Sequence, residues 1–100
     1  VARKDFVEAH PEAVVDFLKK YEASIKFVNE KNDEAATMIE SYDIIAAAVA
    51  KKALPFCNIT YIAGKEMKEK LSGYLSVLNE QNPKSVGGSL PEDDFYYGAN

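Results

Sequence analysis

Few side chains in this sequence are suited to bond-making chemistry, and their spacing limits what they could do. There is one cysteine, Cys57, and one histidine, His10. A nucleophile needs a base and an orienting group beside it, and no pattern here brings these two residues together. His10 stands immediately before Pro11 and reads as an exposed residue where a helix starts. Cys57 reads as a small buried hydrophobe, the commoner fate of a lone thiol, and a single cysteine excludes an internal disulfide. Metal ligation lacks its usual spacings: there is no CxxC, no HExxH and no helical Glu-x-x-His pair. Glu92-Asp93-Asp94 gathers three acids without the alternating oxygen ligands of a calcium loop, so it reads as a solvated turn. Gly87-Gly88 is not followed by the Lys-Ser/Thr of a phosphate-binding loop. Asn58-Ile59-Thr60 matches the glycosylation sequon, a three-residue pattern that arises by chance and is silent in a bacterial protein. The reading is of a chain with no catalytic residues, no metal site and no cofactor, and not of an enzyme.

The totals narrow the classes further. One hundred residues make one domain at most, or a piece of one. Hydrophobic content of 47% and charged content of 28% are those of a globular chain. A net charge of -4, a pI near 5.0 and the lack of a long Lys/Arg run argue against nucleic acid as a partner. The longest apolar run, Ile44 to Ala50, is far short of the roughly 20 residues that span a bilayer. The sequence opens Val1-Ala2-Arg3-Lys4 with neither methionine nor an apolar leader, and the expectation is of an excised carboxyl-terminal piece.

Four helices account for most of the periodicity. Pro11 suits the first helical turn, where its missing donor is not needed, and Glu12 suits the positive end of the helix dipole. Val14, Leu18, Tyr21, Ile25 and Val28, widened by Phe17 and Ser24, then predict an amphipathic helix of about 18 residues, about 27 Å long. Ordering such a helix costs more than its own stripe returns, so the stripe requires a partner surface. Asn32-Asp33 offers a cap for a second helix with Ala35, Met38, Ile39 and Tyr42 on one face. Asp43 offers a cap for a third, alanine-rich helix that must stop near Pro55, and its small side chains allow close approach to a neighbour. Phe56 to Ile62 is rich in β-branched and aromatic residues but has no partner strand, so it is expected to be an extended connector. After Gly64, residues Met67, Leu71, Tyr74, Leu75 and Leu78 mark a fourth helix. Gly73 lies inside that helix, with close packing as the expected reason, and Asn82-Pro83 ends it. Tyr21, Tyr42 and Tyr74 lie on apolar stripes and are expected in the core. The most flexible joints are expected at Asn29 to Asp33 and Lys84 to Ser89. No internal repeat or boundary is visible.

The segment Gln81-Asn82-Pro83-Lys84-Ser85-Val86-Gly87-Gly88-Ser89-Leu90-Pro91-Glu92-Asp93-Asp94-Phe95-Tyr96-Tyr97 resembles the carboxyl-terminal signature of one group of bacterial substrate-binding proteins. These are the solute receptors of ABC transporters of the nitrate/sulfonate/taurine-like group. Val1 to Leu18, with Asp5-Phe6 and Pro11-Glu12-Ala13 leading into Phe17-Leu18, is similar to the family's passage from its last interlobe strand into a long helix. Ala53-Leu54-Pro55-Phe56-Cys57-Asn58-Ile59-Thr60-Tyr61-Ile62 and Gly64-Lys65-Glu66-Met67 are similar to the connector and helix start that follow. The resemblance covers nearly the whole chain, with the tail its most specific part.

What the resemblance implies is a two-lobed α/β protein of the type II periplasmic-binding-protein fold that closes on ligand by hinge motion. Residues 1-100 would be the mainly α, carboxyl-terminal helical part of the first lobe, packed outside a sheet formed by other residues. The whole protein would be an extracytoplasmic receptor, periplasmic or a cell-surface lipoprotein, whose signal peptide lies outside this sequence. It would pass a small anionic solute to a membrane permease. The ligand-binding residues remain unknown; Asn58 and Thr60 are the nearest candidates to the cleft, although satisfying local backbone groups is the commoner role for such side chains. Stripped of its sheet, the piece is expected to self-associate through stripes led by Leu18 and Leu71. Two alternatives stand beside the receptor: a protein of the same fold that makes or binds the pyrimidine precursor of thiamine, and a free-standing helical interaction module.

Overall fold

The computed structural model describes residues Val1–Ala99. The chain is mainly helical, with five α-helices and no strand among the described residues. Contacts gather into two compact units, one of Val1–Tyr61 and one beginning at Ile62.

The first unit opens with a helix that the periodicity is too short to reveal, α1, Lys4–Ala9. Asp5 sits in its first turn, where the dipole favours an acid. Its carboxylate accepts two bonds from the Arg3 guanidinium, at 3.2 and 3.0 Å, and one from the Phe6 N–H at 3.0 Å. The helix ends at His10, which precedes Pro11 and is held out of the helical region at φ -131°. Pro11 then starts α2, Pro11–Glu30, as its spacing predicts. Ile25 is the one residue of α2 that is buried. A single non-helical residue, Lys31, separates α2 from α3, Asn32–Ser41. The Asn29 amide donates 3.0 Å to the carbonyl of Ile59 and ties the end of α2 to the connector.

Three local expectations are corrected here. Neither Asn32 nor Asp33 caps α3: the cap position is Lys31, without a side-chain bond, and Asp33 lies inside the helix, 3.2 Å from the Lys51 ammonium. Asp43 does not cap α4, Ala47–Ala53, either. It takes φ +56° in the turn after α3, a region short polar side chains tolerate. The Ala47 N–H is met instead by the Glu40 carboxylate at 3.1 Å, seven residues upstream. The connector is not extended throughout. Leu54–Phe56 form a 3-10 turn, Cys57 continues it at φ -78°, ψ -12°, and Asn58 turns the chain at φ +53°.

Close approach of the alanine-rich helix is realised. α3 and α4 are in contact, and their buried residues are alanines: Ala35, Ala36 and Ala50, all at 3% exposure or less. Methyl groups let two backbones come near with little side-chain entropy lost. Lys51 and Lys52 close α4, where the dipole favours cations.

The second unit is built on α5, Gly64–Gln81. It stops where Asn82-Pro83 requires, with Asn82 extended at φ -159°. Pro83–Val86 form a 3-10 turn capped by the Asn82 side chain, and Gly87 and Gly88 follow at φ +78° and +93°. A second 3-10 turn, Asp93–Phe95, leads to Tyr96, which is buried at 5% exposure, and Ala99, at 6%. Of the three tail aromatics only Tyr96 is therefore covered; Phe95 and Tyr97 are exposed. Gly73 has no neighbour within 4 Å of a built Cβ, so close packing is not the reason for it. A glycine there simply weakens the middle of the helix.

Candidate functional site

The residues with nucleophilic or basic chemistry are placed apart in their roles. The His10 ring lies 4.9 Å from the Phe6 ring, at the break between α1 and α2. Cys57 is exposed, not buried as expected, and its thiol donates to the carbonyl of Ala53 at 3.3 Å. The cause is the 3-10 turn, which carries the residue past the end of α4 before any side chain can cover it. Neither contact sets a base against a nucleophile. Glu92, Asp93 and Asp94 are exposed, and Asp93 meets Lys68 at 2.9 Å. Among the described residues no three His, Cys, Asp or Glu side chains gather where they could share a metal ion. No helix among them is long and apolar enough to cross a membrane. Asn58 and Thr60 are both exposed, Asn58 at the turn and Thr60 two residues beyond it.

What the structure does build is apolar surface. Phe17 and Tyr21 are one helical turn apart on α2, and their rings stack at 5.7 Å with 11° between planes. Tyr61, at the end of the connector, meets Tyr21 edge-on at 6.2 Å. The three rings form a ledge on the first unit, with Phe17 62% and Tyr21 50% exposed. Tyr42 and Tyr74 are also exposed, so the expectation that the three stripe tyrosines lie in the core is corrected. The stripe of α2 thus has a covered edge at Ile25 and an open edge at Phe17 and Tyr21, among the described residues of this unit. The i, i+4 aromatic pair was the available signal; periodicity alone does not say whether a stripe's partner is present.

The second unit repeats the theme. No residue of α5 is buried, and Tyr74 and Val77 are open to solvent. A shallow depression along this helix is lined by Ile62, Met67, Lys70, Leu71 and Tyr74; another, on the first two turns of α2, is lined by Pro11, Glu12, Val15, Asp16 and Lys19. Each lies along one helix and encloses nothing.

Comparison with known proteins finds no matching family model, no similar curated protein and no similar solved structure.

Proposed function

We propose that this chain is the carboxyl-terminal helical part of the first lobe of a solute-binding receptor, the capture component of an ABC importer. The observation that carries the reading is the uncovered apolar surface: sixteen large apolar side chains are exposed against six buried apolar residues among those described. Helices of a two-layer α/β lobe bury one stripe against a sheet. Removing that sheet leaves stripes like that of α2, where Ile25 is covered and Phe17 and Tyr21 are not. The tail segment from Gln81 to Tyr97, with its resemblance to the nitrate/sulfonate/taurine-like receptors, narrows the class from any layered protein to this one.

On this reading the chain does no covalent chemistry. Its helices stiffen one jaw of a clamp, and a small anion such as a sulfonate is held in the cleft between jaws by lobe closure. The complete protein works outside the cytoplasmic membrane and hands its solute to the permease. Calorimetric titration of the complete gene product with taurine, a simple alkylsulfonate and nitrate tests the reading. Binding of one of these anions by the complete product, and of none by residues 1-100 alone, is the expected result. Binding of an aminopyrimidine in their place would move the chain to the thiamine-precursor branch of the same fold. Discovery that the gene encodes only these helices, folded and monomeric, would leave a helical interaction module instead.

A further inference from the structure

We infer that the tail from Asp93 to Ala99 is a strap, seated by burial of Tyr96 and by the Lys68–Asp93 ion pair, and that the first two turns of α5 are helical only while it is seated. The start of α5 is poorly specified by its own residues. It begins at Gly64 in the left-handed region, φ +62°, after Ala63, which makes no side-chain cap. Lys65 and Lys68 lie near the end of the helix where the dipole disfavours cations, and Glu66, the one acid in the first turn, is paired with Lys70 at 3.0 Å. Helices of this length are marginal without tertiary packing, and nothing on α5 is buried.

The tail supplies what this end lacks. The Lys68 ammonium lies 2.9 Å from Asp93 Oδ1 and 5.8 Å above the centroid of the Tyr96 ring. Phe95 meets Tyr96 edge-on at 5.1 Å. The carbonyl oxygen of Gly98 would stand 3.5 Å from a Cβ built on Gly64. Positions 64 and 68 are one turn apart on the same face, so the tail runs back along the helix in the opposite sense. Of the acids Glu92, Asp93 and Asp94, it is Asp93 that meets the lysine-rich turns, at Lys68. In this unit the buried residues among those described are Tyr96 and Ala99, both in the tail, so the unit gains its core only when the strap is down. The corner after α5 is anchored to aim it: the Ser85 hydroxyl donates to the carbonyls of Leu78 and Asn82, at 3.3 and 2.7 Å, and the N–H groups of Gly87 and Gly88 bond back to Lys84 and Pro83. The strap operates whether or not the helices cover a sheet.

Hydrogen exchange read by mass spectrometry on the full chain tests this. Tyr96→Ala is expected to raise exchange at the hydrogen-bonded amides of residues 67–71 at least tenfold while α2 stays within twofold of the parent. Asp93→Asn, which removes the ion pair and leaves the charges of α5 alone, is expected to raise it about two- to fivefold. The inference falls if Tyr96→Ala releases the tail and leaves 67–71 protected, or if it unprotects α2 as well. It also falls if Asp93→Asn changes nothing.

Discussion

Two truncations on one helix give the sharpest check on the uncovered surface. Ile25 is 8% exposed and Phe17 is 62% exposed, two turns apart on α2. In a filled core, Ile→Ala costs about 2–5 kcal/mol and Phe→Ala about 3–5 kcal/mol, so the phenylalanine normally matters more. Here the order inverts. Ile25→Ala removes a covered side chain and should cost about 2–3 kcal/mol, the lower part of that range, because a small unit relaxes into the gap. Only about two fifths of the Phe17 surface is withdrawn from water, and full burial of a phenylalanine yields about 1.5–3 kcal/mol, so Phe17→Ala should cost about 0.5–1 kcal/mol. Changes in helix propensity are similar for the two residues and cancel in the comparison. Urea unfolding followed by far-ultraviolet circular dichroism at low concentration measures both, with the slopes compared to check that the unfolded states match. A unit this small holds about 3–5 kcal/mol in all, so Ile25→Ala should begin its transition almost without denaturant. If Phe17→Ala costs as much as Ile25→Ala, Phe17 is covered in solution and the reasoning from its exposure is wrong.

Other substitutions probe separate parts of the argument. Ala50→Leu forces a branched side chain into the α3–α4 contact and should cost about 1–3 kcal/mol in the same assay; a neutral result would mean the two helices are not closely packed. Asn58 holds φ +53°, so Asn58→Gly should leave the melting temperature unchanged or raise it, while Asn58→Val should destabilise by about 1–2 kcal/mol. In sedimentation velocity, the mean sedimentation coefficient of the isolated chain should rise with concentration, and Phe17→Ser with Tyr21→Ser should reduce that rise. A concentration-independent monomer would remove the expected self-association.

The backbone punctuation was legible because proline and glycine act locally. Pro11, Pro55, Gly64 and Asn82-Pro83 each stand at the break they predict, within a residue or two. Caps were less legible because several polar groups compete for each helix end. Asp43 had the chemistry to cap α4, yet Glu40 reaches the Ala47 N–H from the preceding helix and leaves Asp43 to make the turn. The short α1 spans too few residues for a periodic pattern. Burial was the least legible property. Tyr21, Tyr42 and Tyr74 carry the signature of core residues, but a stripe records that a helix was shaped to meet a surface, not that the surface lies in the same hundred residues. The exposure of Cys57 depends on the 3-10 turn at Leu54–Phe56, a local geometry that its neighbours' hydrophobicity does not disclose.

That last distinction can be measured directly by making one substitution in two settings. If, as proposed, a sheet from outside residues 1-100 covers α2, the Phe17–Tyr21–Tyr61 ledge becomes interior in the complete gene product. Phe17→Ala then creates a cavity there and should cost the about 3–5 kcal/mol of a buried phenylalanine, against about 0.5–1 kcal/mol in residues 1-100. The difference, roughly 2–4 kcal/mol by the same two scales, reports the cover itself, since the local helix is identical in both settings. Ile25→Ala serves as the internal reference: its side chain is already covered at 8% exposure, so its cost should change little between settings. A Phe17→Ala penalty that stays small in the complete gene product would show the ledge still facing water there and would remove the proposed sheet as the partner of the α2 stripe.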